Sequence, residues 1–441
     1  MAHYYHSIKL VDEQCIGCTN CIKRCPTEAI RVRGGKAEII NERCIDCGTC
    51  IRVCASRAKR ATTQPLSILN EYKCKIAIPA PTLYGQFKNM WDVNAILTGV
   101  KKLGFDDVFE VARAAELVTQ ETKRYIANLR PKKTVISSAC PVIIRLISMR
   151  FPTLIDNLLP IKSPMEIAAA AAREYYVNKG FSPQEVGVFF IGPCGAKSTY
   201  VLNPLGVKRS DVSGVISISD IYMPLRNAIS NLKEIEPLCQ GVAKGVKWAA
   251  AGGESENVMI ENAIAVDGLD NVVSVLESLE DGQISDVDFI EALACVGGCV
   301  GGPLTILNGY VGKNYVRRTE RNSRLLPASM RRTDGYDESK IDFYFNAEIE
   351  SADAMRLDED MGAALNKYEK INKIYEGLPH IDCGSCGSPT CLALAEDVVQ
   401  ANANVEDCVF MLRKKVRDLA GVMMDLSSKM PQTLVKGDKT T

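Results

Sequence analysis

Eighteen cysteines in 441 residues dominate what this chain can do chemically, and most of them stand in short, regular spacings. Cys15-x2-Cys18-x2-Cys21-x3-Cys25 is followed by Cys44-x2-Cys47-x2-Cys50-x3-Cys54, and Cys383-x2-Cys386-x4-Cys391-x16-Cys408 lies near the other end. Three isolated segments fall between them: Ser137-Ser138-Ala139-Cys140-Pro141, Gly192-Pro193-Cys194-Gly195-Ala196-Lys197 and Leu293-Ala294-Cys295-Val296-Gly297-Gly298-Cys299-Val300-Gly301-Gly302-Pro303. Thiolates at such spacings bind soft metals: iron–sulfur cubes, or structural zinc, which Cys-x2-Cys runs also hold. The doubled x2, x2, x3 pattern argues for iron, and for the C-terminal group zinc stays open. Disulfides are the third use of dense cysteine, but Met1-Ala2-His3-Tyr4-Tyr5-His6 leads into a charged segment with no apolar signal core, and no run has membrane length. A reducing, cytoplasmic setting is expected. Cys74 and Cys239 lack ligand-spaced neighbours and read as ordinary buried thiols.

The elements around these cysteines follow from the apolar pattern. Lys75-Ile76-Ala77-Ile78, Thr134-Val135-Ile136-Ser137 and Val186 to Ile191 are candidate buried strands, and Pro164 to Tyr176 is a candidate helix opened by Ser163 and a first-turn proline. Strands alternating with helices predict a mainly parallel α/β domain, with functional segments at strand ends. Two of the three isolated cysteine segments run off such strands into the next helix, whose first N–H groups favour an anionic group. The glycines after Cys295 let backbone approach a bulky ligand. Ala29 to Val32 and Ala37 to Ile40, around Gly34-Gly35, predict a hairpin. With 53 basic and 53 acidic side chains, no whole-chain field draws the protein to nucleic acid or to anionic membrane.

The two N-terminal runs match the spacing of bacterial two-cluster ferredoxins, and the three isolated segments, in this order and with these flanks, resemble the signatures of the FeFe hydrogenases. The ferredoxin spacing implies one cube on Cys15, Cys18, Cys21 and Cys54, and another on Cys44, Cys47, Cys50 and Cys25. The hydrogenase resemblance implies an H-cluster, a 4Fe–4S cube joined by a shared thiolate to a two-iron unit with CO, cyanide and azadithiolate. Its ligands would be Cys140, Cys194, Cys295 and Cys299, with Cys299 the bridge. Lys197 matches a lysine that pairs with an iron-bound cyanide. Ala80-Pro81-Thr82 is similar to a turn lying over the two-iron unit, and Pro193 belongs to the second signature.

Departures from that pattern cluster on proton transfer. Ala139 stands where fast catalysts carry a relay cysteine, and the outer relay positions correspond to Glu121, Arg124 and Leu159, of which only Glu121 still exchanges protons. Cavity positions change too: Gly192 and Leu293 replace methionines, and Met165 replaces a glutamine. A relay is worth typically 10²–10⁴-fold in rate, so turnover is expected to be slow. The chain thus resembles the sensory FeFe hydrogenases, cleaving H2 reversibly with low activity and passing electrons through three additional 4Fe–4S clusters.

The C-terminal cysteines resemble a small single-cluster 4Fe–4S domain. Beyond them Val409, Leu412, Val416, Leu419, Met423, Leu426 and Met430 keep a 3, 4 alternation, the pattern of a parallel two-stranded coil or of a docking helix. The expected architecture is a two-cluster ferredoxin domain of α+β class (1–73), an α/β H-cluster domain (74–333), a helical connector (334–379) with a helix near Ala352 to Tyr375, a small helical 4Fe–4S domain (380–408), and a heptad helix with a disordered tail (409–441). Expected partners are H2 and protons, a ferredoxin-type electron carrier, maturation proteins, a separate signalling protein, and a second copy through residues 409–430. Two rivals remain: a ferredoxin-linked catalytic hydrogenase, and a hydrogenase-like assembly protein without the two-iron unit.

Overall fold

The protein, described by a computed structural model over residues 5–88, 92–241 and 243–429, divides into two compact units. One is drawn from the chain up to Val11 and from Asn41–Met355, the other from Asp12–Ile40 and from Arg356 onward. The division runs through the stretch read as one ferredoxin domain, so Cys15 to Cys25 and Cys44 to Cys54 fall in different units.

In the first unit, strands β1 (Cys74–Pro79), β2 (Asp107–Val108), β3 (Val135–Ile136), β4 (Val186–Gly192), β5 (Gly214–Ser217), β6 (Ala263–Asp267) and β7 (Phe289–Leu293) form two sheets. Their orders are β2-β1-β4-β5 and β6-β7-β3, and all neighbours pair in parallel. Side chains alternate across a strand, and both faces of β1 are covered: Ile76 and Ile78 enter one core, Ala77 another. This explains the unbroken apolar runs of β1 and β4. Helices α1 (Val111–Asn128), α2 (Pro141–Arg150), α3 (Pro164–Val177) and α4 (Gly195–Leu202) surround the sheets.

Residues 334–355, read from their charge as connector, belong to this unit. Tyr336, Ile341 and Phe343 pack on one core, and Ile349 and Ala354 on another. Apolar residues at every second position lie between the charges there, which is the signal of an extended segment laid on a core.

The second unit contains the expected hairpin, Ile30–Arg33 paired antiparallel with Lys36–Ile39, and helices α5 (Met361–Glu376), α6 (Cys391–Val399) and α7 (Val409–Ser428). The connector helix starts later than its composition implied because Asp360 caps it, its carboxylate accepting from the Ala363 N–H at 2.7 Å. Ile371, Leu378, Leu394 and Ala395 build a small core with Cys391 and Cys408. The heptad forms one helix, α7, among whose residues none is buried. Met430 and the expected tail lie outside the described residues.

Candidate active site

The carboxyl ends of β1, β3, β4 and β7 deliver four loops to one cavity of about 110 Å3, where parallel sheets put their ligands. Cys140, Cys194, Cys295 and Cys299 all line it. Cys140 and Cys194 occupy the cap positions of α2 and α4, yet neither thiol caps its helix, so both sulfurs stay available. Two glycines let the third segment close on the others. A Cβ on Gly302 would lie 2.6 Å from the Pro193 carbonyl, and Gly298, at φ 91°, would drive one to 2.4 Å from the Ala251 nitrogen. The Leu304 N–H donates to the Pro193 carbonyl at 3.0 Å, tying the second and third segments together.

Electrostatics fit this donor set to a cationic metal group. Burial pushes the Cys194 thiol up to about 12, the neighbouring Cys295 and Cys140 adding to it. Burial also raises Cys295 and Cys299. The three raised thiols resist ionising together unless metal supplies the opposing charge. Cys299, the most open of the four, faces the cavity. Lys197 lines the same space, with Nζ donating to the Ala139 carbonyl at 3.2 Å and to the Ser163 hydroxyl at 3.3 Å. Burial lowers its pKa, and the surrounding thiols oppose that. Ser163 therefore orients this ammonium and makes no side-chain cap bond to α3.

Ala80, Pro81, Thr82, Ala139, Met165, Pro193 and Leu293 line the cavity as expected. Gly192 is a correction. Gly192 is the last residue of β4 and is absent from the lining; a Cβ there would meet the Phe190 ring at 2.1 Å, and that ring takes the place in the wall. Glu121 lies outside the lining as well. Its carboxylate accepts from Tyr344 Oη at 2.7 Å and Arg124 at 3.1 Å near the surface, a location that suits the outer relay position expected of it and not an inner one.

Two cavity carboxylates were missed. Glu254 accepts from the Ser137 hydroxyl at 2.6 Å, while its Oε1 is buried without a hydrogen-bond partner. The Ser137 oxygen accepts in turn from the Ala139 N–H at 3.4 Å. Burial and the adjacent Glu291 push Glu254 up to about 8. Glu291 is raised by burial but held by the Gly252 and Ser255 N–H groups at 3.1 and 2.8 Å. The available signal was Glu291 itself, a carboxylate inside the otherwise apolar Phe289-Ile290-Glu291-Ala292-Leu293.

The second cysteine run reaches the same region. Cys47 lines the cavity, Ile45 is buried in the adjoining core, and Asp46 accepts from Thr199 of α4 at 2.8 Å. Arg52 donates to the Gly301 carbonyl and bonds to Cys295. In the second unit, Cys383, Cys386, Cys391 and Cys408 surround one small pocket. The Asn404–Asp407 capping box turns the chain back after α6, which solves the return of Cys408 across a 16-residue gap. His380 packs edge-on against Tyr375, 4.3 Å between centroids. Cys74 and Cys239 are buried thiols. No helix among the described residues is long and apolar enough to cross a membrane.

A parallel α/β fold carrying four cysteines and a lysine on one cavity, with further cysteine clusters, defines an iron–sulfur redox protein. The family described as iron only hydrogenase large subunit, C-terminal domain, matches residues 73–263 and 239–303, a 4Fe-4S dicluster domain matches 7–55, and an Fe-S cluster family matches 378–410. The chain belongs to the FeFe hydrogenase family. Iron hydrogenase 1 of Clostridium pasteurianum is 25% identical over 258 residues, 47% of this chain and 44% of that protein. The NADP-reducing hydrogenase subunit HndD of Solidesulfovibrio fructosivorans is 26% identical over 260 residues, 46% and 44%. The chain thus spans less than half the length of these two relatives. The periplasmic Fe hydrogenase large subunit of Nitratidesulfovibrio vulgaris is 27% identical over 370 residues, 69% of this chain and 87% of that one. The FeFe-hydrogenase HydA1 from Chlamydomonas reinhardtii superposes with a TM-score of 0.46 at 16% identity, covering 60% of this chain and 89% of that one.

Proposed function

We propose that the protein binds an H-cluster on Cys140, Cys194, Cys295 and Cys299, turns H2 over slowly, and reports hydrogen or redox state to a partner. The observation that carries this reading is the pairing of an intact ligand set, including Lys197, with an alanine at position 139, which offers no proton donor. When bound, the cluster would supply reversible heterolytic cleavage of H2. The chain's part is to hold and shield it: Lys197 places a compact cation in a dry cavity, and Phe190, Met165 and Leu293 exclude water.

Protons need a route past Ala139. Glu254 and Ser137 fit that task, because a carboxyl pushed up to about 8 can both hold and release a proton near neutral pH. Electrons would leave through the cubes on the two N-terminal runs and on Cys383, Cys386, Cys391 and Cys408. The uncovered apolar positions of α7, among them Val416 at 57%, Leu419 at 57% and Leu426 at 60% exposed, fit a second copy through residues 409–430, with signalling passed to a separate protein. Cys408 directly precedes this helix, so the cluster's charge acts at its root. A ferredoxin-type carrier and maturation proteins complete the partner set.

The test is an infrared spectrum of the protein matured with the two-iron cofactor, first under inert gas and then under hydrogen. CO and cyanide bands that shift with hydrogen support the reading, with about 18 iron atoms expected from three cubes and a six-iron H-cluster. Bands absent from protein with intact cubes would replace it by the assembly-protein reading and about 16 irons. High turnover of the loaded protein would move the assignment to a ferredoxin-linked catalyst.

A further inference from the structure

The first N-terminal cysteine run and the C-terminal cysteine group belong to the same unit and are tied together by hydrogen bonds. The hairpin that follows Cys25 bonds to the loop between Cys386 and Cys391: the Val32 N–H donates to the Gly387 carbonyl at 2.8 Å, and Arg33 to the Cys386 carbonyl at 3.0 Å. Gly387 takes φ 82°, and a Cβ there would sit 1.9 Å from the Val32 carbonyl, so this approach is as close as backbone allows. Beneath it, buried Asp397 of α6 accepts from Arg31 at 2.6 Å, Arg33 at 2.7 Å and Ser388 at 2.7 Å.

A second bridge joins the two cysteine groups more directly. Lys23, two residues after Cys21, donates from Nζ to the carbonyl of Asp382 at 2.6 Å, next to Cys383. Gly384 lies against Ile22, its hypothetical Cβ 3.5 Å from Cδ1. Lys23 also helps hold the Cys383 thiol below its ordinary range, after the larger effect of Ser385. The exposed Lys23 bond contributes little stability on its own. The buried arginine–aspartate network anchors the hairpin on α6, since breaking such a pair leaves an uncompensated charge in a buried site.

We infer that the C-terminal cluster exchanges electrons directly with the cluster begun by Cys15, Cys18 and Cys21. This rests on the iron–sulfur reading of both cysteine groups. The geometry fits: the Ala37 N–H donates to Cys15 Sγ at 3.4 Å, and all four C-terminal cysteines face one pocket. The step balances as a one-electron exchange: one reduced cube is oxidised, its neighbour is reduced, and no atom is transferred. An electron arriving there adds a negative charge beside Cys408, at the N-terminal end of α7, where the helix dipole favours it.

The experiment is electron paramagnetic resonance of the full chain, reduced with dithionite and without the two-iron unit, beside the double variant Cys386→Ser, Cys391→Ser. The wild type should show a split, fast-relaxing component from neighbouring reduced cubes. In the variant about four irons should be lost, and the split component should change to the simpler one that the two N-terminal cubes give on their own. A split component unchanged after the loss of those irons overturns the inference and leaves the hydrogenase reading intact. Unchanged iron content overturns it together with the C-terminal cluster itself. Should the double variant not fold, Cys18→Ser examines the pair from the other side: the C-terminal cube must then lose its fast relaxation, and its retention overturns the inference.

Discussion

Replacing Glu254 with glutamine isolates the proton route from cluster binding. The amide keeps the shape and an acceptor for the Ser137 hydroxyl, now at 2.6 Å, but cannot exchange a proton. Loss of a general acid–base group costs typically 10²–10⁴-fold in rate, so turnover of the fully loaded variant should fall by that factor while its infrared bands persist. The wild-type pH profile sharpens the test. With the carboxyl pushed up to about 8, the unprotonated form needed to accept a proton in H2 oxidation rises from roughly 1% at pH 6 to about half at pH 8, a roughly 50-fold gain. Glu254→Gln should flatten that rise. The assay is H2 oxidation with an artificial acceptor between pH 6 and 9, normalised to the infrared-determined cofactor content. Unchanged turnover and an unchanged pH slope in the variant would refute Glu254 as the proton carrier. Ala139→Cys is the complement: a thiol beside the Ser137 oxygen should raise turnover, and no increase would leave Glu254 as the sole inner route.

The same carboxyl affects stability. Its folded pKa lies above that of an exposed carboxyl, so the unfolded chain releases the proton first and stability falls as pH rises from about 4.5 toward 8; denaturant titrations at pH 6 and 8 should show this slope in the wild type and not in Glu254→Gln. Lys197→Met, which removes the cation bonded to Ala139 and Ser163, should retain cube signals but lose about two irons and the CO and cyanide bands. Asp397→Leu strands Arg31 and Arg33 in a buried site and should cost the second unit about 3–5 kcal/mol, read by denaturant unfolding. Leu419→Glu places a charge in the uncovered stripe of α7 and should convert a dimer to monomers in sedimentation velocity; a wild type already monomeric would refute the dimer seam.

What could be read from the sequence was whatever depends on local order. The cysteine segments that meet in the cavity were legible because a thiol pattern survives in one dimension, and β1, β4 and α3 were legible because burial writes long apolar runs. The failures share one physical cause, dependence on a neighbour distant in sequence. Gly192 reads as a vacated cavity position until the Phe190 ring is seen to occupy the space. Glu121 reads as a lone outer carboxylate until Tyr344, 223 residues away, is found donating to it. Glu254 reads as an ordinary glutamate in a glycine-rich turn until burial and Glu291 make it titratable near neutral pH. Loss of proton-transfer residues along the first route therefore does not by itself define a protein without one. The carboxylate pair lines the same cavity from a different pair of elements, so on the proposed reading Glu254, with the Ser137 hydroxyl bonded to it, would carry the proton that position 139 cannot. The slow turnover proposed for the protein would then follow from a route one hydroxyl wide, since the Ser137 oxygen serves both Glu254 and, at 3.4 Å, the Ala139 N–H.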